Sequence, residues 1–309
     1  MKYIYINKEE TERIKQILLR QSDELPYEDI ERLCNIGFPN LPISIYNFEN
    51  KPFEFGQSRF GGKNMIFRAR LITNSNNSPF TNISEISYIS NNNLNLIKNF
   101  GRANRPKHSM FYGAFDYHIS CAETLPPADV TLAKGSFFFV VGMWEVISPL
   151  KLAQMPHSQR IFNDFYNTVD FVSESINSYH VMEYTKKIKN QIQSEFDYNN
   201  LVYFADEFAR FDEKNSYKLS NYYAARVFNE YPQFPVPVDI DGIIYPSIVN
   251  SYQHENIVLK PLVVDNKLKF HSAMLVGFTA ANSNGESAKF FPIKQNIFPD
   301  NEGNFNWSL

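Results

Sequence analysis

Apolar residues recur at helical spacing near the start of the chain, where Ile14, Ile17 and Leu18 lie inside the charged stretch from Lys8 to Arg20. A second short helical pattern runs from Pro26 to Leu33. From Phe38 to Lys63 the chain is rich in Pro, Asn, Gly and aromatic residues with no sustained period, which predicts an ordered loop. Residues 1–60 therefore read as a helical N-terminal segment, and a boundary near Gly61 and Gly62 opens the main domain, residues 61–309.

Met65 to Ile72 predicts a strand that sets Arg68 and Arg70 on one face, because side chains two apart on a strand point the same way. Polar stretches from Thr73 to Asn82 and from Asn91 to Asn99 predict surface loops. Phe137 to Val146 predicts a buried strand. Four helical patterns follow, at about 158–178, 179–196, 201–211 and 218–229, the first carrying the stripe Ile161, Phe162, Phe165, Val169, Val172 and Ile176. Pro232, Pro235 and Pro237 end the block, and Ile240–Pro246, Asn256–Val264 and Lys269–Thr279 predict strands. The order of elements predicts an α+β domain, a mixed β core with a helical insertion at about 158–230, without internal repeats.

A hydrophobic content of 43% over 309 residues is enough for a sizeable core. The net charge of −3 argues against neutralising nucleic-acid phosphates. Two cysteines, Cys34 and Cys121, form neither a CxxC pair nor a disulfide framework, which suits a reducing, cytoplasmic setting. The N-terminus turns polar too early for a signal peptide, and the most apolar run, Phe137 to Trp144, is far shorter than the roughly 20 residues that span a membrane. Six scattered histidines show no metal-ligand spacing, and neither a phosphate loop nor a dinucleotide fingerprint is present.

The stretch from Gly101 to Tyr112 joins turn chemistry to the cations Arg102, Arg105 and Lys107, a combination suited to a ligand phosphate and also to a solvated basic loop. Ser120 to Leu125 reads as a short helix carrying Glu123. Taken in order, Phe67-Arg68-Ala69-Arg70, Gly101-Arg102-Ala103-Asn104, Phe111-Tyr112, Glu123 and Gly242-Ile243-Ile244-Tyr245-Pro246-Ser247 resemble the RES family, over about residues 65–260. The resemblance implies an ADP-ribosyltransferase-like fold that acts on NAD⁺, often as a toxin paired with a small antitoxin. It implies Arg68, Tyr112, Glu123 and Ser247 as catalytic residues, and Arg70, Arg102, Asn104 and Tyr245 as substrate-binding ones. NAD⁺ is then a consumed substrate, with no resident cofactor or metal.

The helical block and the N-terminal segment make this chain longer than compact toxin members, leaving room for self-association or for an antitoxin or immunity protein. The sequence leaves the acceptor open among water, phosphate and protein, and leaves open which of Arg68 and Arg70 faces the ligand. A catalytically silent module that holds NAD⁺ or ADP-ribose is the rival from another class.

Overall fold

A computed structural model of the chain describes residues 7–49, 59–60, 63–73, 79–126, 131, 135–157, 174–192, 194–210, 216–231, 236, 238–247, 254–280 and 288–307. The expected boundary at Gly61 and Gly62, and residues 158–173 of the first helix predicted after the long strand, lie outside them.

The elements begin with α1 (Lys8–Gln21), α2 (Tyr27–Gly37), β1 (Ser44–Phe48), β2 (Arg59–Phe60), β3 (Lys63–Leu71) and α3 (Ile83–Ile86). After a 3₁₀ turn at Asn91–Leu96 come β4 (Phe111–Ala114), α4 (Tyr117–Ala122), β5 (Ser136–Val146) and β6 (Leu150–Gln154). The remainder is α5 (Glu174–Gln191), α6 (Glu195–Ala209), α7 (Lys218–Val227), β7 (Gly242–Pro246), β8 (Glu255–Leu259), α8 (Pro261–Lys267), β9 (Leu268–Thr279) and β10 (Lys289–Ile297). The protein is of the α+β class. It forms two compact units: a helical unit of Met1–Asn47, Asn93–Ser109 and Lys151–Ile248, and a sheet unit of Phe48–Asn92, Met110–Leu150 and Val249–Leu309.

In the helical unit the Asn7 side chain accepts from the Glu9 and Glu10 amides and so starts α1. Helix α1 buries Ile14 and Leu18, and α2 buries Ile30 and Cys34. An aromatic core follows, in which Phe38 packs on Tyr203 and Phe204 of α6, and Phe204 packs on Tyr222 and Tyr223 of α7. Buried Arg226 donates to the Tyr222 hydroxyl at 2.6 Å and to the Phe38 and Pro39 carbonyls, which fastens the exit of α2 to α7. Strand β6 pairs with β7 in parallel, Leu152 opposite Gly242. Parallel neighbours need a long crossover. The helical block expected as an insertion is that crossover, since the chain leaves β6 and returns through α5, α6 and α7 to β7.

The sheet unit runs β8-β4-β3-β5-β9-β10, with β2 on β3, and its neighbouring strands are antiparallel. Phe67 and Ala69 of β3, Val141 and Met143 of β5 and Val276 of β9 share one face with Cys121 of α4. Trp144, Phe111 and Phe270 pack edge to face on the other.

Several elements differ from expectation for local reasons. The strand expected over Asn256–Val264 stops at Leu259, because Pro261 opens α8, where its fixed φ and missing N–H fit a first helical turn. Between the two stretches read as polar loops, Asn82 and Glu85 form a reciprocal capping box that starts α3. The break expected between Ser178 and Tyr179 is absent, since α5 runs through both residues. Strands β1, β2, β4, β6 and β10 went unread. The first four are two to five residues long, and β10 is an exposed edge interrupted by Pro292 and two register shifts.

Candidate functional site

In the sheet unit Arg68 and Arg70 leave β3 on the face opposite Phe67 and Ala69, as the period of two demands. Arg68 is buried, and its Nη1 donates to the Tyr112 carbonyl at 2.6 Å. Its guanidinium carbon lies 5.2 Å from the centre of the Phe111 ring. Opposite Arg68 on β5 stands Gly142, and a Cβ there would fall 2.3 Å from the Trp144 ring. The glycine thus leaves room for the indole. Arg70 donates from Nη2 to the Ser87 carbonyl at 2.9 Å.

Among the described residues both arginines donate hydrogen bonds to main-chain carbonyls alone, and Nε of each is buried without a partner there. No carboxylate among the described residues forms an ion pair with either. Burial, and for Arg68 the neighbouring charge of Arg70, pushes both guanidinium groups below their ordinary range. A guanidinium does not give up its proton in proteins, so that cost stands as unmet demand for an anion.

Strands β3 and β4 meet at a single pairing, Phe67 with Ala114. Gly113 allows the close approach, because a Cβ there would fall 2.8 Å from the Phe67 carbonyl oxygen. Beyond that pairing the ladder stops, and the Ala69 amide donates to Ser120 Oγ of α4 at 2.7 Å. Arg68 reaches Tyr112 across the same seam. The Asp116 side chain starts α4 by accepting from the His118 amide, and Glu123 is its C-terminal cap residue. Glu123 Oε1 accepts from Asn256 Nδ2 at 2.7 Å.

Asn256 is opposite Ala114, and Ala114 is opposite Phe67, so Asn256 projects from the face away from the arginines. Tyr112 joins the two sides. Its carbonyl takes Arg68, while its ring shares the face of Ala114 and Asn256. Arg68 and Tyr112 border the seam, and the Glu123 carboxylate is anchored on β8, on the face away from the arginine.

The helical unit holds the other four predicted residues. Gly101 and Asn104 close a turn through the Gly101 amide and the Asn104 carbonyl at 2.8 Å. Arg102 donates to the Phe208 and Arg210 carbonyls at the end of α6, and its guanidinium lies over the Tyr217 ring. That is a helix C-cap, where a cation meets unpaired carbonyls. Tyr245 is buried with its ring 5.4 Å from Phe208, so Arg102 and Tyr245 share one neighbour. Ser247 is fully buried just past β7.

Asn256 and Ser120 escaped the sequence reading, because a lone Asn or Ser carries no pattern until its partner is known. His118 and Cys121, three residues apart, form no nucleophilic pair, since Cys121 is buried in the core and burial pushes its thiol up, whereas the His118 ring sits against Asp116 at 3.0 Å. Among the described residues no group of three or more His, Cys, Asp or Glu is placed to hold a metal ion, and no helix is long and apolar enough to cross a membrane. No family model matches the chain, and no curated protein matches it.

Proposed function

We propose that the chain cleaves the nicotinamide–ribose bond of NAD⁺, with Arg68 and Arg70 gripping the pyrophosphate and Glu123 facing the ribose. The observation that carries this reading is buried Arg68 beside half-buried Arg70, with no carboxylate ion pair among the described residues, Arg68 being held by the strand that pairs with the one on which Asn256 anchors Glu123. Forked, charge-assisted hydrogen bonds to a pyrophosphate satisfy the buried donors and offset their desolvation. Nicotinamide leaves as a neutral ring, so its departure needs no protonating acid. That is unlike ordinary glycoside hydrolysis, where a second carboxyl protonates the leaving oxygen. One ionised carboxylate then stabilises the positive charge that develops on the sugar.

The resemblance to the RES family supplies the substrate and adds Ser247, Tyr245, Arg102 and Asn104 to the same reading. With it come consumption of NAD⁺ as substrate and a neutralising antitoxin or immunity protein, while the cysteine pattern adds a cytoplasmic setting and the extra helical segments leave room for self-association. Water as acceptor gives ADP-ribose, phosphate gives ADP-ribose 1″-phosphate, and a protein nucleophile makes the chain an ADP-ribosyltransferase.

Purified protein is incubated with NAD⁺, and nicotinamide release is followed for the wild type, Glu123→Gln and Arg68→Ala. Glu123→Gln lowers kcat by about a hundredfold or more, as loss of transition-state charge stabilisation does. Arg68→Ala also weakens binding. Equal turnover in all three rejects the assignment, and NAD⁺ binding in calorimetry without nicotinamide release makes the chain a binding module. Product mass identifies the acceptor.

A further inference from the structure

We infer that Asn256 is the positioning residue of Glu123, a role that rests on reading Glu123 as the carboxylate facing the ribose. Asn256 is 3% exposed on β8, and its amide nitrogen lies 2.7 Å from Glu123 Oε1. Glu123 caps α4 after the last helical residue, so its side chain starts from a short helix end and reaches a strand 133 positions further along the chain. Antiparallel pairing with β4 fixes Asn256 opposite Ala114, next to Gly113 and Tyr112. The carboxylate is thereby referenced to the strand whose Tyr112 carbonyl also holds Arg68.

An N–H donated to one carboxylate oxygen fixes the rotation of the carboxylate, and orientation of this kind acts on kcat rather than on substrate binding. An amide suits the position and an acid does not, because two carboxyl groups this close cannot both ionise.

The test uses the full-length protein. Asn256→Ala lowers kcat for nicotinamide release about tenfold or more and changes KM for NAD⁺ less than about twofold. Asn256→Asp, nearly isosteric and the variant to use if the alanine protein does not fold, moves the acid limb of the pH profile up by about one unit or more. A third measurement needs no activity. With ¹³C in the glutamate carboxyls, the resonance lost in Glu123→Gln is that of Glu123, and it shifts in both Asn256 variants.

Wild-type kcat and pH profile in a folded variant, with the Glu123 resonance unmoved, overturn the inference. If the wild-type protein releases no nicotinamide, the proposed reaction fails by itself. The resonance still decides: its shift upholds the coupling of Asn256 to Glu123, and an unmoved resonance overturns it.

Discussion

Arg68 owes its place to neighbours that have no side chain or a flat one. Gly142 stands across from it, Trp144 lies over that glycine and Phe111 lies against the guanidinium. Gly142→Ala drives a methyl group into the indole and is expected to lower stability by about 1–3 kcal/mol, read from urea unfolding. An unchanged midpoint shows that the indole has room to move. Arg68→Lys keeps the charge but loses the planar fork, so KM for NAD⁺ rises about tenfold while kcat falls less. Steady-state kinetics check this, and wild-type KM removes Arg68 from pyrophosphate binding. The shared face of Arg68 and Arg70 was legible in their spacing of two. Asn256 was not, because its meaning is a hydrogen bond to a residue far away in the chain.

Helix α4 is six residues long, too short to persist on its own, and is held by its ends and one lateral bond. Asp116 starts it, Cys121 buries its inner face, and Ser120 takes the Ala69 amide where β4 has left β3. Ser120→Ala leaves that buried amide unmet and is expected to cost about 1–3 kcal/mol, with faster hydrogen exchange at Ala69. Unaltered exchange there means that the seam is closed by other means. The long elements were legible because their patterns repeat, as in α1, β5 and β9. Expected helix boundaries were less so, as in α5, which passes through the predicted break at Ser178. Four-residue β4 offers too few positions to display a period, yet it carries Tyr112 and pairs with the strand of Asn256.

Over the whole molecule, two buried groups of the helical unit give stability a defined pH dependence. Burial raises Glu207 from 4.5 to about 7, with Asp206 and Asp23 adding to the shift and Arg210 opposing it. The folded unit therefore holds this proton more tightly than the unfolded chain, and the stability it contributes is full below about pH 4.5 and lost as pH rises through about 7. His157, lowered by burial from 6.5 to about 4, acts oppositely: its contribution is full above pH 6.5 and lost as pH falls toward 4. Above about pH 6.5 the slope comes from Glu207 and from Glu255 of the sheet unit, which burial also raises from 4.5 to about 7. Urea unfolding at about pH 6.5 and pH 8 should show Glu207→Gln losing less stability than the wild type, by on the order of 1 kcal/mol. Parallel losses in both proteins rule Glu207 out as the source.

The sequence by itself determined the α+β class, the long helices and strands, and the common face of Arg68 and Arg70, because periodicity is a local property of the chain. Tertiary structure alone decided that the helical block is the crossover between parallel β6 and β7, that Arg102 caps α6, and that Asn256 anchors Glu123. Each of these depends on which distant segments pair, and pairing is settled by the burial of whole faces, which no short stretch of residues records.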